Sequence, residues 1–103
     1  MMFRKLYWVT EQVDSKGNSH VSGVYTSIPE LIRHGLSWQE GDCHLRITLT
    51  KLDSIKEPFG TWCEPNFNGL GERLEEFIQT DEFTKEHCQM LLEALNGRAA
   101  KAA

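Results

Sequence analysis

Across the segment His44 to Leu52 apolar and polar side chains alternate, placing Leu45, Ile47 and Leu49 on one face and His44, Arg46, Thr48 and Thr50 on the other. Successive side chains on a strand point to opposite sides of a sheet, so this run predicts a half-buried strand with one covered face. A sheet of that kind needs a second layer over its apolar side. With 103 residues, 40% of them hydrophobic, the chain can bury one core of ordinary size.

Two further runs supply strands. Phe3 to Val13 is rich in aromatic and β-branched residues, and a second such run goes from Val21 to Thr26, beyond the polar break Asp14 to Ser19. Gly17 and Asn18 within that break mark a turn, so the pair reads as a hairpin with a six-residue loop. Phe59 to Cys63 lies between Pro58 and Pro65 and can be at most an edge strand.

The covering layer is helical. Ser27 can cap a short helix, Ile28 to His34, with Pro29 in its first turn and Glu30 completing Ser-x-x-Glu. Leu31 and Ile32 would face the core, and Gly35 would take a left-handed stop with Leu36 folding back. Leu70, Leu74, Phe77 and Ile78 recur at helical spacing, and Phe83, His87, Met90, Leu91, Ala94 and Leu95 do so again after a break at Thr80 and Asp81. Thr84 or Asp81 can cap this last helix, Asn96-Gly97 ends it, and residues 97–103 read as a flexible tail. Strands first and helices last predict a single α+β domain over residues 1–96. Its antiparallel sheet has three to four strands, with helices packed on one face and two helices at the C-terminus.

Charge narrows the partners. Eleven Lys and Arg against fifteen Asp and Glu give a net charge of -4, and the basic residues are scattered, which argues against nucleic acid and against an anionic membrane surface. Met1 to Val13 is too short and mixed for a signal peptide or a membrane span. Three cysteines without a CxxC pair suggest reduced thiols, and together these features lead to a cytoplasmic expectation.

The hairpin holds the main anomaly. Leu6 and Trp8 point one way and Tyr7 and Val9 the other, so both faces are apolar. If Val9 pairs with Val24, Trp8 falls opposite Tyr25 with Gly23 alongside. Whichever set the helices leave uncovered forms an apolar patch beside Arg46, Thr48 and Thr50, and such patches mark interfaces. The interface candidates are therefore Tyr7, Trp8, Val9, Tyr25, Arg46 and Thr48. The competing possibility is that Ser37 to Cys43 or Pro58 to Asn68 folds over the patch. Tyr7, Trp8 or Tyr25 could also stack on single-stranded nucleic acid, although the net charge opposes it.

A second candidate site, for a small molecule or a metal, lies in a cleft between the sheet and the 58–68 loop and uses His44, Trp62, Cys63 and Glu64. No metal site is assigned, because the adjacent pairs Cys43-His44 and His87-Cys88 diverge and cannot chelate as they stand. The Gly-x-Gly at Gly69 and Gly71 lacks a third glycine and reads as a loop and helix cap, so no cofactor is assigned either. Cys63 is the best-placed thiol, but the neighbouring Glu64 works against thiolate formation, and no nucleophile signature frames it. Glu72, Glu75, Glu76, Asp81, Glu82 and Glu86 read as a solvated helix face. The expectation is a non-catalytic interaction module associating through its sheet, most simply as a homodimer. The alternative is a small-molecule- or metal-binding domain.

Overall fold

The computed structural model describes residues 6–37, 41–51, 58–64, 66–67 and 69–102. Phe3 to Lys5 and Leu52 of the expected strands, and Pro65 and Asn68 of the 58–68 loop, lie outside the described residues. The chain runs β1 (Leu6–Val13), β2 (Ser19–Tyr25), α1 (Ile28–Glu30, continued by a π-helical turn, Leu31–Gly35), β3 (His44–Lys51), β4 (Gly60–Cys63), α2 (Leu70–Gln79) and α3 (Lys85–Ala102). The four strands form one antiparallel sheet in the order β2-β1-β3-β4, with the helices on one face. This is the α+β architecture expected from the sequence.

Alternation decides what the helices cover. On β1 the inner residues Leu6, Trp8, Thr10 and Gln12 are buried, and on β3 the inner residues are Leu45, Ile47 and Leu49. Within the helical layer the Leu31–Gly35 turn lies against β2, α2 against β4, and α3 touches both α1 and α2, which puts α3 in the middle. A chain of rings ties the layers together. Phe59 meets Phe77 edge-on at 5.2 Å, Phe77 meets Phe83 at 5.6 Å, and Phe83 meets Trp8 at 5.6 Å. Each such pair contributes about 0.5–1.5 kcal/mol beyond its buried area.

The two edge strands solve one packing problem in the same way. Tyr25 lies back over Gly23 on β2 and Trp62 over Gly60 on β4; a Cβ on Gly23 would come 2.4 Å from the Tyr25 hydroxyl, and one on Gly60 2.2 Å from the Trp62 ring. A ring can lie flat on an edge strand only where its neighbour two residues back has no side chain.

The hairpin turn is built around Asp14, whose Oδ1 accepts from the Lys16 and Asn18 N–H groups, each at 2.9 Å, while Gly17 takes a left-handed φ of 85°. Ser27 caps α1 as expected, its hydroxyl accepting from the Glu30 N–H at 3.3 Å. The end of that helix differs. Gly35 is not left-handed; the Leu36 N–H reaches back five residues to the Leu31 carbonyl at 3.0 Å, closing a π-turn. The glycine is required by closeness instead, since a Cβ there would stand 2.9 Å from the Tyr25 ring.

The last helix matches expectation in part. Thr84, one of the two expected caps, caps it, its hydroxyl accepting from the His87 N–H at 3.1 Å, and Leu91 and Leu95 are buried as expected; the third buried residue is Cys88, whereas His87 is only half-buried and Met90 is 41% exposed. The helix does not stop at Asn96-Gly97 but continues to Ala102, because Arg98, next on the same stripe, is docked against β4 and α1. Glycine in a helix costs only about 1 kcal/mol, which a tertiary contact can override.

Asp81 ends α2 in the left-handed conformation at φ 61°. Its N–H reaches the Ile78 carbonyl at 3.1 Å and the Glu82 N–H reaches that of Phe77 at 3.0 Å, a Schellman stop normally made with glycine. Asp81→Gly should therefore stabilise the fold by about 0.5–1 kcal/mol, raising Tm by roughly 3–6 °C in a thermal melt followed by circular dichroism.

Candidate functional site: the open face of the sheet

The face away from the helices carries Tyr7, Val9, Glu11 and Val13 from β1, Arg46, Thr48 and Thr50 from β3, Val21 and Val24 from β2, and Thr61 and Cys63 from β4. Tyr7, Val9 and Val13 are half-buried among their neighbours, whereas Val21 and Val24 are each 57% exposed. The hairpin register is the one considered from the sequence, with Trp8 opposite Tyr25 and Val9 opposite Val24.

The six interface candidates consequently divide. Tyr7, Val9, Arg46 and Thr48 share the open face, whereas Trp8 and Tyr25 do not belong to it. Trp8 is fully buried under the helices, so it is not placed to meet a partner or a nucleic acid base, and the half-buried Tyr25 faces the helical side, packed against the same core. The covered side took the larger rings because Gly23 and Gly35 leave room for them.

Val21 and Val13 were not among the candidates. Val21 reaches the open face only because β2 bulges: Thr10 pairs with Gly23 but Glu11 pairs with Val21, which leaves Ser22 as the extra residue. Ser22 turns inward, its hydroxyl 2.9 Å from that of Thr10. Without the bulge Val21 would fall on the helix side with Gly23 and Tyr25. The small pair Ser22-Gly23 inside a strand is the local sign of such a bulge.

An ion pair sits among these apolar groups. Arg46 and Glu11 are directly cross-strand, and the guanidinium grips the carboxylate with Nε to Oε1 at 3.1 Å and Nη2 to Oε2 at 2.8 Å. The Ser19 hydroxyl bridges them, donating to Glu11 Oε2 at 3.2 Å and accepting from Arg46 Nη2 at 2.9 Å. Hydrogen bonding from Arg46 holds the Glu11 carboxyl below its ordinary 4.5. Cys63 stands on the same face, cross-strand from Arg46.

The second group of candidates does not converge on one place. Trp62 points into the core, Cys63 points to the open face, and His44 is an exposed end residue whose Nδ1 is 3.9 Å from Glu64 Oε2. Glu64 is already engaged. Its side chain is 6% exposed, Oε2 accepts from the Leu45 N–H at 3.0 Å, and Oε1 accepts from Arg98 Nε. Arg98 Nη1 also donates to the Leu36 carbonyl at 2.8 Å, so a single guanidinium joins α3 to the end of β4 and to the chain leaving α1. Arg98 was missed because its partner is 34 residues away and no local pattern links them. Among the described residues no group of three His, Cys, Asp or Glu side chains is placed to hold a metal ion, and no helix is long and apolar enough to cross a membrane.

Compared with protein-family models, with curated proteins and with solved structures, the chain matches none. The surface itself is therefore the basis for a functional reading.

Two outcomes follow from these ion pairs. Arg98→Met leaves Glu64 buried and uncompensated and should lower stability by about 3 kcal/mol, whereas adding Glu64→Gln to it should recover part of the loss in urea unfolding. Glu11→Gln should cost about 1 kcal/mol at neutral pH. Because the folded-state value of Glu11 is depressed, its stabilisation is present above the ordinary 4.5 and is lost as pH falls through the lower value. The gap between wild type and Glu11→Gln should therefore close on acidification, and a gap unchanged down to acidic pH would contradict the assignment.

Proposed function

We propose that the protein is a non-catalytic interaction module that associates through the open face of its sheet, most simply as a homodimer, in a reducing, cytoplasmic setting. The observation that carries this reading is the pair Val21 and Val24, each 57% exposed beside Val9 on the face opposite the buried inner residues of β1 and β3. Contiguous apolar surface of this kind is stabilised by a partner.

A second copy fits the face chemically. The exposed acids of the chain are concentrated on the helices, whereas the sheet face carries Glu11 balanced by Arg46. Under a two-fold axis Arg46 of one copy can lie opposite Glu11 of the other, so the same patch is its own complement. Strands of up to eight residues, four abreast, offer roughly 400–500 Å² of flat face, below the roughly 800 Å² per partner of a standard interface. A micromolar dimer is thus expected, not an obligate one. Cys43, Cys63 and Cys88 are free thiols, in keeping with a reducing compartment.

Sedimentation equilibrium tests the reading. Wild type should self-associate across roughly 10 µM to 1 mM, and Val24→Asp, which places a charge on the patch and touches no core residue, should remain monomeric with an unchanged Tm. A wild-type chain that stays monomeric throughout that range would remove the homodimer.

A further inference from the structure

The outer seam of the helical layer holds a groove of about 270 Å³ between α2 and α3. Its floor is Leu74 and Cys88, at 1% and 2% exposure, and its walls include the half-buried Ile78 and Leu92. Gly71 keeps one end open, since a Cβ there would meet nothing nearer than the Leu92 Cδ1 at 3.8 Å. Glu75 and Lys85 stand at the rim.

The groove is small, open and apolar. Its volume falls below the roughly 300–1,000 Å³ of small-molecule pockets, but it would take one or two aliphatic side chains presented along a helix. Its surroundings set the sign of the occupant. Glu75 lines it, Glu72, Glu86 and Glu93 are exposed on the same two helices, and Arg73 is already tied to Glu76 at 2.7 Å, which among the described residues leaves Lys85 as the cation at the rim. A second copy of these acidic helices, or an anionic lipid surface, would be repelled.

We propose that the α2–α3 groove docks an amphipathic helix of a partner protein, anchored by one or two aliphatic side chains and carrying Lys or Arg on its polar face. Complementary charge draws such a segment in, and the apolar slot selects for helical spacing of its anchors. This surface lies on the opposite side of the molecule from the sheet face and does not depend on dimerisation.

The test uses the full chain and labelled synthetic peptides of about 18 residues, read by fluorescence anisotropy. One peptide has Leu at helical spacing among Lys, a second has the same composition scrambled, and a third has Glu in place of Lys. The Leu/Lys helix should bind saturably at micromolar concentration and the other two should not. Gly71→Phe, which fills the slot, and Glu75→Lys, which reverses the rim at an exposed position, should each weaken binding by at least about tenfold. Val24→Asp on the sheet should leave it unchanged. Equal binding of the scrambled peptide would reduce the effect to charge alone and overturn the proposal. So would unchanged binding by a folded Gly71→Phe or Glu75→Lys, or no binding of the Leu/Lys helix at about 1 mM.

Discussion

Strand parity on β1 governs what the rest of the chain can bury. With Trp8 fully enclosed between the sheet and Phe83, every even-numbered residue of the strand from Leu6 to Gln12 faces the helices, and every odd-numbered one from Tyr7 to Val13 faces away. The opposite register would expose a tryptophan and drive Glu11 into the core. Removing a buried tryptophan costs about 3–5 kcal/mol, and an unpaired buried carboxylate would add to that, so the observed parity has a wide margin. β1 is also a central strand, paired on both sides, and it passes this parity to β2 and β3 through the ladder.

Much of this could be read in the sequence. The alternation of β3, the Ser27 cap with Pro29, the stripe Leu70, Leu74, Phe77 and the two-faced first strand each depend on contacts between near neighbours, and each appears where it is expected. The hairpin forms too, but β2 begins at Ser19 instead of Val21 because Ser19 and His20 pair with Val13 and Gln12, which shortens the expected six-residue loop. The departures occur where distant residues decide. Backbone freedom alone points to Gly35 as a left-handed helix stop, but it is the Tyr25 ring that demands its lack of a side chain. On α3 the spacing predicts Leu91 and Leu95 correctly but includes His87 and Met90, whereas the docking of Arg98 sets the helix so that Cys88 turns inward in their place. On the open face, parity was legible for Tyr7, Val9, Arg46 and Thr48, but Val21 depended on a bulge that shifts one strand by a single residue.

The Arg98–Glu64 pair shows how a distant contact can matter without dominating stability. Burying two charges costs most of what their attraction returns, so a close apolar pair of the same shape would hold these elements about as well. What the pair supplies is position. Leu45, Leu36 and Glu64 come from three separate stretches of chain, and a planar guanidinium with its facing carboxylate meets them only in one orientation of α3. The same engagement explains why Glu64 is no free ligand, although His44 Nδ1 lies 3.9 Å from its Oε2.

The two outer surfaces differ in the way that two separate roles would require. The sheet face is broad and shallow, and among its described residues Glu11 and Arg46 satisfy each other, so it would suit a flat, self-complementary partner. The helical seam is narrow, deeper and acidic, so it suits a slender cationic one. They also lie on opposite sides of a single shared core. Association through the sheet would leave the groove facing outward on each copy, and two grooves displayed by one dimer would bind a repeated or doubled target more tightly than either alone, to an extent set by the spacing of its segments. The proposed self-association and the small anchor pocket would each be modest in energy, and it is their combination on one scaffold that would give such a module useful affinity.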